Sequence, residues 1–172
     1  MSAAARPWPD RVVETLLGAG VTHVSYVPDN GHTRTIELLT DNPAVTVNVL
    51  TTEEEGVAIA AGTWLGGKRS VILTQSSGVG NCINMLSLPI IGRFPLLMLV
   101  TMRGEWHEFN PWRVPMGQAV EKALAAIGVT TLRAETADAL VDLVASSAAM
   151  AFEADQQIAL LLSQRLLGAK KW

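Results

Sequence analysis

The stretch VTVNVLTTEEEGVAIAAGTWLGGKRSVILTQSSGVGN, residues 45–81, decides the fold. Its pattern predicts a strand at Val45–Leu50, a helix at Glu53–Leu65 and a second strand at Ser70–Thr74. The predicted strands are largely continuous apolar runs, which is typical of strands buried on both faces of a parallel sheet. A strand, a crossover helix and a parallel strand are the repeating unit of open α/β folds.

The same alternation continues along the rest of the chain. Further strands are predicted at His23–Val27, Leu96–Thr101, Val129–Leu132 and Ile158–Leu162. Further helices are predicted at Asp10–Leu17, Thr33–Leu39 and Gly80–Ile91, through Val120 and Ile127, and at Asp138–Phe152. We therefore expect an α/β fold with a doubly wound, mostly parallel six-stranded sheet and helices on both faces, forming a single domain over residues 1–172.

Composition excludes several classes of protein. The chain has 172 residues, 49% of them hydrophobic, and a net charge of −3 with scattered basic residues, which predicts no nucleic-acid partner. The lone Cys82 forms no internal disulfide, and the first residues lack the apolar core of a secretory signal, so a cytoplasmic location is expected. The longest apolar stretch, 86–102, is interrupted by two prolines, a glycine and an arginine, so no membrane span is predicted.

Ligands of such sheets gather at the carboxyl ends of the strands. The predicted loops at that edge are Pro28–His32, Leu50–Glu55, Gln75–Asn81 and Arg103–Trp112. In the second loop, Thr52 and Glu55 fit a capping box, and acidic side chains suit a helix N-terminus. This interpretation leaves Glu53 and Glu54 without a dedicated role.

Two glycine-containing segments invite a nucleotide-binding interpretation. The segment Gln75–Asn81 offers polar side chains and glycines for close approach to a flat polar ring, but Ile83 occupies the third glycine position of a dinucleotide fingerprint. Its alternative interpretation is a simple polar turn. The segment Gly62–Lys68 has phosphate-loop spacing but ends a helix instead of opening one, so Gly66 and Gly67 are predicted to form a helix exit.

The loop after the strand Leu96–Thr101 is rich in large and charged side chains. It contains Arg103, Trp106, His107, Trp112 and Arg113, so both a binding role and a subunit interface are open alternatives. Only three histidines are present, at distant positions, and no histidine-based metal site is predicted.

Taken together, these segments resemble the pyrimidine-binding domain of thiamine-diphosphate decarboxylases, particularly the sulfopyruvate and phosphonopyruvate decarboxylase group. The resemblance spans nearly the whole chain and is carried by Val27-Pro28-Asp29, Glu53 to Gly62, Gln75 to Asn81, Arg103-Gly104-Glu105 and Met116-Gly117. In this family a glutamate precedes the glycine of an Ala-Ala-Gly or Ala-Asp-Gly motif by nine residues, which from Gly62 points to Glu53, with Glu54 as the alternative.

The resemblance implies that this carboxyl group activates the cofactor by hydrogen-bonding a ring nitrogen of its aminopyrimidine. The implied cofactor contacts are Pro28, Asp29, Glu53, Gln75, Ser77, Gly78, Gly80 and Asn81. The implied substrate contacts are Asp29, His32, His107 and Arg113, and no metal ligand is expected in this chain. Arg113 stands where the phosphonopyruvate group often has a histidine.

The resemblance also implies a partner. Family members hold the diphosphate through Mg²⁺ on a second domain with Gly-Asp-Gly and Asn-Asn motifs, and this sequence contains neither. A β subunit carrying that domain is therefore expected, in an α2β2 or larger heteromer. The implied reaction is decarboxylation of a 2-oxo acid that resembles sulfopyruvate or phosphonopyruvate. The size of Trp106 and Trp112 also allows a bulkier, aromatic 2-oxo acid. The alternative functions are a carboligase subunit and a non-catalytic scaffold subunit.

Overall fold

A computed structural model describes residues 6–168, so both ends of the predicted domain lie outside the described residues. The strands are β1 (Val21–Tyr26), β2 (Thr46–Val49), β3 (Arg69–Gln75), β4 (Leu96–Thr101), β5 (Thr130–Ala134) and β6 (Gln157–Leu162). They form one sheet in the order β2-β1-β3-β4-β6-β5, and every pairing is parallel. The predicted six-stranded α/β sheet is confirmed.

The helices alternate with the strands along the chain. They are α1 (Trp8–Gly18), α2 (Thr33–Thr40), α3 (Glu53–Leu65), α4 (Ser76–Cys82), α5 (Ser87–Gly92), α6 (Val114–Ala126), α7 (Ala137–Ala154) and α8 (Gln164–Leu167), with 3-10 turns at Asn30–His32 and Pro111–Arg113. Gly66 ends α3 and Gly67 has a φ of 71°, which confirms the predicted helix exit. Within residues 6–168, no helix combines the length and the apolar character that crossing a membrane requires.

Both faces of the sheet are covered. Leu73 and Leu99 point to one face and belong to a buried apolar cluster that includes residues of α1 and α7. Their neighbours Ile72 and Met98 point to the other face and join a second cluster with residues of α3, α4 and α6. Because successive side chains of a strand alternate between faces, the continuous apolar runs reflect two separate cores. The predicted doubly wound architecture is thereby confirmed.

The predicted helix Gly80–Ile91 is wrong in its bounds and continuity. The chain forms α4 directly after β3, a turn, and then the short α5. Pro89 has no N–H to bond the carbonyl of Met85, and that carbonyl accepts the N–H of Leu88 at 2.9 Å instead. One consequence is that Gln75–Asn81, predicted as a loop, is helical from Ser76 onward.

Candidate active site

Four neighbouring strands deliver the predicted site segments to one edge of the sheet. The strands β2, β1, β3 and β4 are adjacent in that order. Beyond their carboxyl ends lie Glu53, Asp29, Asn81 and Arg103, respectively. Since parallel strands place their carboxyl ends at the same edge, segments distant in sequence meet there.

Glu53 is the buried member of the acidic run that opens α3. Its exposed fraction is 7%, whereas Glu54 and Glu55 are exposed. As the first residue of a helix, a carboxylate is favoured by the positive end of the helix dipole. No ion pair to Glu53 is present within residues 6–168. The burial of Glu53 without a cation distinguishes it from the surface acids beside it.

The predicted capping box at this helix start is wrong. Thr52 is the N-cap residue, but its side chain makes no capping hydrogen bond. Oε2 of Glu55 instead accepts the backbone N–H of Thr51 at 2.9 Å, one residue before the cap, so the reciprocal pair does not close. Capping therefore occupies Glu55 alone and leaves the carboxylate of Glu53 for another partner.

That partner is Asn81, on the helix after the next strand. Nδ2 of Asn81 donates to Oε2 of Glu53 at 2.8 Å. Gly78 lies against the same carboxylate, because a Cβ built on Gly78 would overlap both Glu53 and the hydroxyl of Thr74. Two predicted cofactor contacts, Gly78 and Asn81, are thus brought directly to Glu53.

A buried thiol lies behind this group. Cys82 is fully buried, and its burial together with the nearby charges of Glu53 and Glu54 raises the pKa of the thiol to about 12. The thiolate is the nucleophilic form of cysteine, so Cys82 is unreactive at neutral pH. We assign it to packing.

A groove opens beside Asn81. It encloses about 820 Å³ and is lined by Ser77, Gly80, Asn81, Pro111, Trp112, Pro115, Met116 and Ala119. Trp112 is 86% exposed at its rim. Nearby on the chain, Oε1 of Gln75 is buried without a hydrogen-bond partner among the described residues. The groove itself therefore combines apolar walls with the polar side chains of Ser77 and Asn81.

Asp29 occupies the neighbouring position, beyond β1. Its Oδ2 accepts the hydroxyl of Thr101 at 2.7 Å and the N–H of Gly31 at 3.1 Å. These residues and Arg103 line a small cavity of about 110 Å³ that Leu167 and Gly168 border. Asp29 is half-buried, so it faces this cavity from a fixed position. The preceding Pro28 is exposed.

His32 has a placement that the sequence did not indicate. It is 1% exposed, and Nε2 donates to the carbonyls of Thr74 and Leu99, at 3.2 and 3.1 Å. Desolvation lowers the pKa of this histidine, and the nearby charge of Asp29 partly opposes that effect. This burial favours a structural role, fastening the Asp29 turn to the sheet, over the predicted direct contact with substrate.

The loop after β4 is held by a buried ion pair. Nε of Arg103 lies 3.0 Å from Oε2 of Glu108, and the two side chains are 10% and 3% exposed. Glu108 also accepts the backbone N–H groups of Gly104 and Asn110 and the side-chain amide of Gln164. Although burial opposes ionisation, the bonds from Arg103, Asn110 and Gly104, led by that from Arg103, hold the pKa of Glu108 at about 2. The Glu108 carboxylate therefore links several residues of the loop.

The Met116-Gly117 pair fixes the far end of the same loop. A Cβ on Gly117 would overlap the backbone carbonyl of Arg103, so only glycine allows α6 to approach the loop this closely. Met116 lines the groove beside Gly80. The pair thus positions one wall of the groove.

The two tryptophans of this loop do not share a cavity. Trp106 lines a separate cavity of about 510 Å³ with Glu105 and Arg133, whereas Trp112 lines the groove. His107 is exposed, and its ring meets that of Trp106 edge-on at 4.4 Å. Within residues 6–168, Trp106 and Trp112 thus line different cavities. The predicted substrate roles of His107 and Arg113 stay predictions.

Sequence patterns missed three residues that organise the site. Thr101 fixes Asp29, Glu108 fixes Arg103, and the Gln164 side chain accepts the N–H groups of Glu105 and Trp106 at 3.0 Å. Only Thr101 had a local signal, as a polar residue ending an apolar strand at the ligand-binding edge. No group of three or more His, Cys, Asp or Glu side chains suited to a metal ion is found within residues 6–168.

The sequences of curated relatives align with much of this chain. The α subunit of sulfopyruvate decarboxylase from Methanococcus maripaludis is 29% identical over 154 residues, covering 89% of this chain and 92% of that protein. The corresponding subunit from Methanothermobacter thermautotrophicus is 37% identical over 112 residues, covering 64% and 68%. A phosphonopyruvate decarboxylase from Streptomyces viridochromogenes is 42% identical over 94 residues, covering 54% of this chain and 24% of that protein. No protein-family model matches the chain.

A solved structure shares the fold. The chain superposes on 2-oxoglutarate:ferredoxin oxidoreductase from Magnetococcus marinus with a TM-score of 0.77 and 17% sequence identity. The match covers 94% of this chain and 29% of that one. At this identity the likeness concerns the fold alone, and it agrees with the α/β architecture predicted from the sequence.

Proposed function

Because the chain belongs to the family of sulfopyruvate decarboxylase α subunits, we propose that it is the pyrimidine-binding subunit of a split thiamine-diphosphate-dependent lyase that decarboxylates a 2-oxo acid. The observation that carries the proposal is the Glu53 carboxylate, 7% exposed and without a cationic partner among residues 6–168. A buried carboxylate of this kind is costly unless a ligand or a proton satisfies it. We further propose that the chain as a whole forms one such domain.

The residues around Glu53 fit an aminopyrimidine ring. Such a ring offers both donors and acceptors, which match the carboxyl group of Glu53. Oε1 of Gln75, the residue just before α4, is buried without a partner among the described residues and is a further proposed contact. Glycine at position 78 lets α4 approach the Glu53 carboxylate closely, because a Cβ there would overlap that carboxylate. Ser77, Gly80 and Asn81, from the same helix, line the groove. We propose these residues as cofactor contacts, and the proposed set also includes Pro28 and Asp29 beyond β1.

The division of labour follows from the chemistry of the reaction. When bound, thiamine diphosphate supplies the electron sink that loss of carbon dioxide from a 2-oxo acid requires. With the cofactor bound, Glu53 would exchange a proton with a ring nitrogen of the aminopyrimidine, and its burial would strengthen that hydrogen bond because little water would compete. Asp29, held by Thr101 and Gly31, is oriented toward the small cavity and is proposed to face the substrate.

A partner chain is part of the proposal. The relatives from two methanogens are named as α subunits, which supports a β subunit that supplies most contacts to the diphosphate and to Mg²⁺. We propose an α2β2 or larger heteromer. The exposed Trp112 at the rim of the groove is consistent with further burial when a ligand or a second chain is bound. A cytoplasmic location remains a prediction.

We propose that the substrate is a small 2-oxo acid with a second anionic group. Relatives are named for sulfopyruvate and phosphonopyruvate. The cavity at Asp29 and Thr101 encloses only about 110 Å³, which suits a small group. Arg113 makes no ion pair or hydrogen bond through its side chain among the described residues and is the proposed anion contact, with His107 as a second. Separation of the two tryptophans weakens the aromatic alternative.

The test is reconstitution with a partner chain that carries Gly-Asp-Gly and Asn-Asn. Carbon dioxide release is measured with sulfopyruvate, phosphonopyruvate and phenylpyruvate, with and without thiamine diphosphate and Mg²⁺. We expect release from sulfopyruvate or phosphonopyruvate, which carry a second anionic group, only when both chains and both cofactors are present. Turnover without thiamine diphosphate contradicts the proposal, release from phenylpyruvate alone overturns the substrate class, and cofactor binding without any turnover identifies a scaffold subunit.

A further inference from the structure

The side-chain amide nitrogen of Asn81 donates to Glu53. The bond from Nδ2 to Oε2, at 2.8 Å, is the only hydrogen bond that either side chain makes within residues 6–168. Asn81 was predicted to contact the cofactor, yet its amide points to the carboxylate. Because this amide donates to the Glu53 carboxylate, it restricts the orientation of that carboxylate.

Gly78 completes the arrangement from the same helix. Residues 78 and 81 of α4 are one turn apart and therefore lie on the same face of the helix. Gly78 contacts the Oε1 side of the carboxylate, and Asn81 bonds Oε2. The Glu53 carboxylate is thus held between the backbone of Gly78 and the amide of Asn81.

We propose that Asn81 is a positioning residue for Glu53, which it orients toward the cofactor's ring nitrogen; this inference rests on the proposed function. The choice of an amide has a physical reason. A lysine or arginine at this position would form an ion pair that favours the ionised carboxylate and hinders proton uptake, whereas a neutral amide fixes the orientation without adding a charge.

The first test examines the contact before any cofactor is added. In the reconstituted complex with only this chain ¹⁵N-labelled, the side-chain amide signals of Asn81 are assigned by their loss in Asn81→Ala. We expect these signals to shift in Glu53→Ala and to stay in place in Glu54→Ala, since Glu54 is exposed and makes no such bond. Signals that do not move in Glu53→Ala overturn the contact.

The second test separates positioning from binding. At saturating thiamine diphosphate we expect Asn81→Ala to slow exchange of the cofactor's C2 proton roughly tenfold or more, the size of one hydrogen bond to a charged group. The Kd of the cofactor should change by less than about threefold. Asn81→Asp keeps the shape but presents a repelling charge, so exchange should slow at least as much. The matched control is Asn84→Ala, an exposed asparagine next to α4, with wild-type exchange expected.

The outcomes distinguish this inference from the function on which it rests. No cofactor-dependent exchange in the wild-type complex overturns the proposed function. Wild-type exchange that persists in Asn81→Ala or in Asn81→Asp overturns the positioning role alone. A weakened cofactor Kd in Asn81→Ala with unchanged exchange at saturation restores Asn81 as a direct cofactor contact and also overturns the inference.

Discussion

Arg103 and Glu108 form an ion pair of 3.0 Å that is almost completely removed from solvent at the ligand-binding edge of the sheet. The same carboxylate accepts three further donors, from Gly104, Asn110 and Gln164. One side chain therefore ties together the loop after β4 and the helix α8. The stability of this loop depends on the charge of Glu108.

Glu108→Gln should destabilise the protein by on the order of 3 kcal/mol at neutral pH, because it leaves the Arg103 charge buried and unpaired. The pKa of Glu108 is lowered from 4.5 to about 2 in the folded state. A depressed pKa stabilises the fold above the ordinary value, and this stabilisation is lost as the pH falls through the folded value. The difference between wild type and variant in urea unfolding should therefore shrink below pH 4.5. Glu121→Gln, at an exposed carboxylate, is the control, and a difference independent of pH contradicts the assignment.

Thr101→Val removes the hydroxyl that donates to Asp29 while keeping the shape of the side chain. Since Thr101 is fully buried and the bond is 2.7 Å, we expect a loss of about 1–2 kcal/mol in the free energy of unfolding. The turnover number for the 2-oxo acid should fall with it, because Asp29 loses its anchor. Thr130→Val, at an exposed position of β5, should change neither quantity. Unchanged turnover in Thr101→Val shows that Asp29 needs no such support.

Gly78→Ala should displace the Glu53 carboxylate, since the added Cβ overlaps it and the Thr74 hydroxyl. We expect overpacking to cost about 1–3 kcal/mol in urea unfolding, and cofactor activation to be lost. The matched control is Gly62→Ala in α3, where a Cβ meets nothing within 4 Å. The free energy of unfolding of that variant should rise by up to about 1 kcal/mol, because alanine has a higher helix propensity than glycine. Equal changes in the free energy of unfolding for the two variants would contradict the close approach of Gly78 to Glu53.

Cys82 should resist alkylation in the folded chain. It is the single cysteine of the sequence, is fully buried, and has a thiol pKa raised to about 12. Iodoacetamide at neutral pH, followed by mass spectrometry, should modify the chain in urea and leave the folded chain unmodified. Rapid modification of the folded chain means that the surroundings of Glu53 are open to water.

The alternation of strands and helices was predictable because it depends on local pattern. The apolar run Leu96–Thr101 and the helix Glu53–Leu65 have the predicted bounds. The strand begins directly after Pro95, and the helix begins after Thr52 and ends at Gly66, so each has a signal next to it in sequence. The break between α4 and α5 was missed because its cause, the absent N–H of Pro89, acts four residues back along the chain.

The contacts of the site were predictable only in part. Family spacing pointed to Glu53, and burial now distinguishes it from Glu54. The bond to Asn81 joins residues 28 positions apart, and the bond of Thr101 to Asp29 joins residues 72 positions apart. Such pairs arise from sheet order, which a local pattern does not contain. For the same reason the sequence did not show that Trp106 and Trp112 line different cavities.

The measurement that tests the central claim most directly is exchange of the C2 proton of thiamine diphosphate, followed by NMR in the complex reconstituted with the partner chain. The account predicts that Glu53→Gln nearly abolishes catalysed exchange, because the amide cannot shuttle a proton to the ring nitrogen. Glu54→Gln, at the exposed neighbour, should exchange at the wild-type rate. A wild-type rate in Glu53→Gln, or loss of exchange in Glu54→Gln alone, contradicts the assignment of Glu53.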